Sequence, residues 1–263
     1  MNLKTQVKPK KFLGQHFLTD ENIAMKIVDS LVKTDEKIED VLEIGPGMGV
    51  LTKYLLKDPD YKLTVVEIDF EAIHYIEENF PMLKNRIIQA DFLQMDLTTR
   101  FPESLAIIGN FPYNISSQIM FKVLDNRNQV TQVVGMFQKE VAERIASRPG
   151  KKSYGILSVL LQAYYDIELL FGVDEYVFNP PPKVKSAVIR CTRKTGAELN
   201  CDEKLFKRIV KDAFGQRRKM LRNGLSAYLK HQHQNEVSFL DKRAETLSWQ
   251  DFELLTNQIS KIM

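Results

Sequence analysis

Cysteine and long apolar runs are nearly missing from this 263-residue chain. Its two cysteines, Cys191 and Cys201, cannot build a disulfide framework, and a reducing compartment suits them. No apolar run approaches the roughly 20 residues that a helix needs to cross a bilayer. The first residues, Met1-Asn2-Leu3-Lys4, lack the apolar core of a secretion signal. A cytoplasmic protein with no membrane partner is therefore expected. Metal-ligand spacing is absent too: His16, His74, His231 and His233 stand in no ligand-type pattern with cysteine or carboxylates, so no metal is expected. There is no internal repeat and no low-complexity tract. What remains is ordinary for a soluble globular protein, 44% hydrophobic and 27% charged, with length enough for one large domain or one domain and an appendage.

The net charge of +3 hides an asymmetry. Residues 193–263 hold 14 Lys/Arg against 9 Asp/Glu, whereas residues 1–192 hold 23 against 25. Lys4, Lys8, Lys10 and Lys11 all precede the first acidic residue. A basic tail and a basic N-terminal arm around a near-neutral body suit a polyanion. The densest basic cluster is Arg217-Arg218-Lys219-Met220-Leu221-Arg222.

Acidic or amide residues fall at the ends of four successive apolar runs. Val41-Leu42-Glu43-Ile44 leads into Gly45-Pro46-Gly47-Met48-Gly49, and a helix is expected over Val50–Leu56. The next strand ends at Glu67, 22 residues after Gly45. A strand, a glycine turn, a helix and an acid about 20 positions on form a nucleotide-binding pattern, in which the glycines admit a ligand to the backbone and the acid accepts from ribose hydroxyls. Val50 stands where the dinucleotide fingerprint has its third glycine, which disfavours a pyrophosphate. S-adenosylmethionine, an adenosine without phosphates, fits better. A third strand ends at Asp91, placed to accept from the cofactor's adenine amine, with Phe92 as a wall. The fourth, Leu105–Ile108, runs into Gly109-Asn110-Phe111-Pro112-Tyr113. In an open parallel sheet, ligands bind outside the carboxyl ends of the strands, so Glu43, Glu67, Asp91 and Asn110 are expected around one crevice. An amide beside a proline-stiffened turn and an aromatic ring suits a planar base with an exocyclic amine.

Elsewhere, Phe12–Leu18 reads as an ordered loop with His16 between two aromatic anchors, and Asp20 as the N-cap of a helix. Three prolines stiffen Phe178–Ser186. A fifth strand over Val130–Gln138 and a sixth over Ile167–Phe171 are expected, with a seventh, Ala187–Cys191, closing the sheet. From about Lys194 the chain turns polar and helical.

With these residues in place, the chain resembles the ribosomal RNA adenine N6-dimethyltransferase family from end to end. The resemblance rests on Phe12–Leu18, on Glu43–Gly49, on the N-hydrophobic-P-Y motif Asn110–Tyr113, on the F-x-P-x-P-x-V-x-S motif Phe178–Ser186, and on Arg217–Arg222. It implies a Rossmann-like α/β class I methyltransferase fold, with a seven-stranded, mostly parallel sheet over residues 1–193 and a small helical RNA-binding domain over 194–263. It also implies that His16, Leu18, Gly45, Glu67, Asp91 and Asn110, with Gly47 and Phe92, line the S-adenosylmethionine site. Relatives commonly carry Asn at the position of His16 and Leu at that of Phe111. The implied reaction is dimethylation of two adjacent adenosines near the 3′ end of 16S rRNA in the small (30S) subunit or its precursor, by a monomer. On this reading Asn110, Phe111 and Pro112 polarise and position the amine, Tyr113 and Phe178 sandwich the flipped base, and Lys10, Lys11, Arg217, Arg218, Lys219 and Arg222 hold phosphates. Two alternatives share the fold: a large-subunit methylase of the macrolide-resistance type, and a nucleic-acid-binding factor that does not depend on catalysis.

Overall fold

Short runs of branched apolar residues pair side by side in the computed structural model, which describes residues 7–32, 40–196, 198–229 and 236–263. Lys4 of the basic arm, and His231 and His233, lie outside these residues. The chain divides into two units, Met1–Ala142 with Glu168–Arg193, and Glu143–Ile167 with Lys194–Met263.

In chain order the first unit begins with β1 (Phe17–Leu18), α1 (Glu21–Val28), β2 (Asp40–Ile44), α2 (Thr52–Leu55) and β3 (Lys62–Glu67). It continues through α3 (Phe70–Asn79), β4 (Ile87–Gln89), α4 (Leu97–Arg100), β5 (Leu105–Asn110), α5 (Ser116–Asp125) and β6 (Val130–Gln138). After α6 (Lys139–Ile145) and α7 (Ile156–Tyr164), β7 (Tyr165–Val173) returns the chain to this unit for β8 (Phe178–Asn179) and β9 (Ser186–Arg193). Helix starts follow local chemistry. Asp20 accepts from the Ile23 amide at 3.0 Å and Asp69 from the Glu71 amide at 3.0 Å, each satisfying a donor that the helix leaves unpaired. The helix expected over Val50–Leu56 is regular only through the four residues of α2.

Seven strands form one sheet in the order β4-β3-β2-β5-β6-β9-β7. All pairings from β4 to β6 are parallel, and β9 runs antiparallel to β6. The chain moves outward from β2 to β4 and then crosses to β5 on the other side of β2. That reversal opens a crevice beyond the carboxyl ends of β2 and β5. One expectation is corrected: the strand around Ala187–Cys191 does not close the sheet but lies between β6 and β7. Burial explains the order. Every residue of β6 from Val130 to Phe137 is buried and needs a strand on either side, whereas β7 exposes much of its length, as an edge does.

The second unit packs α7, α8 (Glu203–Gly215) and α10 (Trp249–Ile262), with the short α9 (Leu221–Gly224) between the last two in sequence. α8 buries Leu205, Phe206, Ile209, Val210 and Ala213, the face expected of an amphipathic helix. Ser248 and Asp251 cap α10 reciprocally. Residues 143–167 were expected with the N-terminal part. They group with the second unit because α7 is apolar nearly all round and buries seven of its nine residues there.

Gly109 and Gly135 of the sheet leave room for the Phe111 ring. Phe111 is 1% exposed and meets Phe137 edge-on, with centroids 5.1 Å apart. A Cβ on Gly135 would lie 2.3 Å from the Phe111 ring and 2.7 Å from Phe137. Gly135→Ala should therefore destabilise the fold by about 1–3 kcal/mol through overpacking. Denaturant unfolding measures this, and a variant as stable as the parent would show that Phe111 is not locked as described.

Candidate functional site

The glycine turn after β2 forms the floor of a cavity of about 190 Å³. Gly45 has φ +67°, a left-handed conformation that side chains disfavour, and a Cβ built on it would touch nothing within 4 Å. Its backbone therefore faces open space. Gly49 is constrained differently: a Cβ there would strike the Phe80 ring at 2.3 Å, so the third glycine seats the turn against the end of α3. Beneath the turn Glu43 is fully buried and accepts from Thr52 Oγ1 at 2.6 Å. Burial pushes its carboxyl up to about 7; the Thr52 hydroxyl works against this, and the Glu67 charge adds to it.

Glu67, at the end of β3, lines the cavity. Its Oε1 accepts from the Ile68 amide at 2.8 Å and the Asp69 amide at 2.9 Å. Burial raises its pKa, and these amides partly offset the shift. Asp69 anchors the loop above it. Lys10 Nζ lies 2.5 Å from Asp69 Oδ1, and Gln15 Nε2 donates to Oδ2 at 3.0 Å. Burial would raise the Asp69 carboxyl, but the Lys10 and Gln15 bonds, with the Glu71 amide, hold it below its usual range. The loop is thus stapled over the cavity, and Leu13, Gly14, Gln15, His16 and Phe17 line it from above.

Asp91 also lines the cavity, and its Oδ1 caps the turn Phe92–Gln94 by accepting from Leu93 N at 2.9 Å. Phe92 supplies the expected wall. From α5, Lys122 Nζ donates to the Leu93 carbonyl at 3.0 Å and the Met95 carbonyl at 2.5 Å, clamping this wall.

Across the floor, Asn110 Nδ2 donates to the His16 backbone carbonyl at 2.8 Å. Only the amide nitrogen can donate, so this bond fixes which way the Asn110 carbonyl oxygen points. The His16 ring lies on Tyr113, with centroids 5.4 Å apart and planes 28° apart. Its Nδ1 is 2.7 Å from the Pro180 carbonyl and must be the donor, since a carbonyl only accepts. Tyr113 Oη lies 2.5 Å from Ser186 Oγ. Burial raises the Tyr113 phenol despite that bond.

The structure brings His16, Gly45, Gly47, Glu67, Asp91, Phe92, Asn110, Phe111, Pro112 and Tyr113 around this one cavity. Leu18 and Glu43 line a smaller recess that shares Gly45, Gly47 and Asn110 with it. Phe178 is not brought there. It is 4% exposed, pairs with Leu18 between β8 and β1, and packs into the apolar core. The ring facing Tyr113 is His16. Two expected phosphate ligands are also engaged otherwise. Lys10 pairs with Asp69 and Glu71, and Arg217 pairs with Glu245 at 2.8 Å and donates to the Lys152 carbonyl. Lys11, Arg218, Lys219 and Arg222 are exposed. Sequence reading missed Gln15, Lys122 and Ser186. Gln15 and Ser186 sit inside recognised motifs, whereas Lys122 carries no sequence signal.

The donor set selects a ligand class. Two carboxylates and no lysine or arginine line the cavity among the described residues, a poor match for pyrophosphate and a good one for a cation that carries ribose hydroxyls. S-adenosylmethionine has those properties.

Comparison with known proteins shows the family. The family model described as ribosomal RNA adenine dimethylase matches residues 6–261. The "Ribosomal RNA small subunit methyltransferase A" of Cytophaga hutchinsonii is 57% identical over 255 residues, covering 97% of this chain and 98% of its own. Among solved structures, a dimethyladenosine transferase from Plasmodium falciparum superposes with TM-score 0.76 at 26% identity, over 94% of this chain and 98% of its own. The 23S rRNA methyltransferase ErmE superposes with TM-score 0.69 at 23% identity, over 93% and 99%, a likeness of fold.

The buried Glu43 sets a pH signature. Its folded pKa of about 7 lies above the ordinary 4.5, so the folded state binds the proton more tightly than the unfolded one. The native state is therefore penalised progressively as pH rises from 4.5 to 7, and fully above that. Glu43→Gln should be more stable than the parent at pH 8, by up to about 3 kcal/mol, with the difference vanishing toward pH 4.5. Unfolding curves across this range check it; a difference independent of pH would contradict it.

Proposed function

The chain belongs to the ribosomal RNA adenine dimethylase family, and from that premise we propose that it dimethylates N6 of two adjacent adenosines in the 3′-terminal hairpin of 16S rRNA during small-subunit biogenesis. The observation that carries this reading is Asn110. It ends β5 with its amide held by the His16 carbonyl, beside Tyr113 and a cavity walled by Glu67 and Asp91.

When bound, S-adenosylmethionine supplies an electrophilic sulfonium methyl. Gly45 and Gly47 would offer it backbone, Glu67 would accept from its ribose hydroxyls, and Asp91 with Phe92 would take its adenine. The target adenine leaves its stack and lies against Tyr113. A base between two rings needs roughly 7 Å, two van der Waals layers, so the His16 ring, at 5.4 Å, gives way as the base enters. Stacking of this kind contributes about 1–3 kcal/mol per base.

The amine is a poor nucleophile because its lone pair is delocalised into the ring. Asn110 Oδ1 and the Phe111 backbone carbonyl accept its two hydrogens and draw the lone pair out of the ring, toward the methyl. With the donor held by Gly45, Gly47, Glu67 and Asp91, its sulfonium would supply the methyl that the amine takes up. Alkylated nitrogen is acidic enough to lose its proton to water, so the chain needs no strong base, and holding the two reactants in line does the rest. The fixed amide of Asn110 supports this, since an acceptor that cannot turn needs no reorganisation in the transition state. Exposed Arg218, Lys219 and Arg222 of the second unit, with Lys11, suit RNA phosphates.

Asn110→Ala should lower methyl transfer on the order of 100-fold, as loss of a preorganised polar group does, a larger effect than the loss of S-adenosylmethionine affinity that freeing the His16 loop brings. Mapping dimethyladenosine in ribosomal RNA from cells with the parent, the variant or neither tests both substrate and role. Dimethyl marks on 16S rRNA that persist without the protein would overturn the reading. Replacing Arg218, Lys219 and Arg222 together by alanine should reduce the slope of log affinity against log salt by about 2–3, one phosphate contact per cation. An unchanged slope would remove the second unit from the RNA interface.

A further inference from the structure

Ser186 has no part in the reaction described above, yet it is placed to govern it. It ends the Phe178–Ser186 motif, begins β9 and is fully buried, and its backbone is held in the antiparallel ladder opposite Gln138. Its Oγ lies 2.5 Å from Tyr113 Oη. Tyr113 stands in the turn between β5 and α5, where the backbone has no ladder to fix it. The sheet therefore holds the hydroxyl that holds the ring. The same segment also reaches the ring that stacks on Tyr113, because the Pro180 carbonyl accepts from the His16 imidazole. The His16 ring gives way to the base, so the brace that lasts is the Ser186 hydroxyl, and Phe178 roots its segment in the core.

We propose that Ser186 is a positioning residue for methyl transfer: its hydroxyl fixes the tilt of the Tyr113 ring, and with it the plane in which the target adenine lies beside Asn110. This rests on the reading of the site given above. A base that stacks on a free ring rocks about the Cα–Cβ axis and carries its amine off the line of attack. A ring tethered at its far end cannot. The consequence falls on the step that needs alignment, not on cofactor binding, because Ser186 does not line the cavity.

A double-mutant cycle on the full chain tests this, with Tyr113→Phe, Ser186→Ala and the pair, assayed for methyl transfer to 16S rRNA substrate. Tyr113→Phe keeps the ring and removes only the tether, so it remains informative if the serine change perturbs folding. Each single variant should lose about 3- to 10-fold in kcat, the range of one hydrogen bond. The double variant should be no worse than either single one. S-adenosylmethionine Kd should change little; Tyr113→Phe leaves the buried Ser186 hydroxyl unpaired and should lower the melting temperature, and the double variant should recover part of that loss without recovering kcat, a split that a merely structural role would not show. Penalties that multiply in the double variant, or a Tyr113→Phe enzyme with full kcat, would overturn the proposal. If the parent itself fails to methylate 16S rRNA, the functional reading fails instead, and the two failures are distinguishable.

Discussion

The hydrogen bond from Asn110 Nδ2 to the His16 carbonyl ties together parts of the chain 94 residues apart. It does two jobs. It engages one of the two N–H donors of the amide and so fixes the direction in which the carbonyl oxygen points. It also pins the N-terminal loop across the cavity, with Lys10 and Gln15 holding the other side through Asp69. Roof and reactive amide are therefore one assembly. The sheet makes this possible, because the crossover from β4 to β5 sets the ends of β2 and β5 side by side and so brings Gly45 near Asn110.

The parts of this site that were legible in the sequence are those where residue type and chain position both carry the chemistry. Glycines after an apolar strand, and acids or an amide at strand ends, have few other uses, and Gly45, Glu67, Asp91 and Asn110 meet around one cavity. The parts that were not legible depend on partners distant in sequence. Phe178 precedes prolines and suits a base-stacking ring, yet its surroundings in the core decide its role. Lys10 and Arg217 read as free cations until Asp69 and Glu245 are seen beside them, 59 and 28 residues away. The same holds for strand order. Periodicity finds β9, but only the burial of β6 on both sides explains why β9 lies next to it.

Losing Lys10 and Arg217 from the set of phosphate ligands alters the electrostatic picture without weakening it. A cation in an ion pair is already neutralised locally, so it releases few counterions from RNA and adds little to salt-dependent affinity. Its work is structural. Lys10 holds the roof of the cavity, and Arg217 fastens Glu245 and the Lys152 carbonyl within the second unit. The neighbours that remain exposed, Lys11 next to Lys10 and Arg218 next to Arg217, are the ones available to a polyanion.

On the proposed reading, hydrogen-bond accounting favours release of the dimethylated product. An unmodified adenine amine has two hydrogens, which the proposal assigns to Asn110 Oδ1 and the Phe111 carbonyl. After the first transfer one hydrogen remains, so one acceptor loses its partner, and alignment rests more heavily on the ring of Tyr113. After the second transfer the nitrogen has no hydrogen to donate. Both acceptors are then left facing a methyl group, an arrangement that costs about 1–3 kcal/mol for each buried polar group left unpaired. The contacts that draw the substrate in therefore weaken with each methyl added, and the finished base is the species the pocket holds least well. No moving part is needed for this order; it follows from an amide that cannot turn and a ring that is held in place.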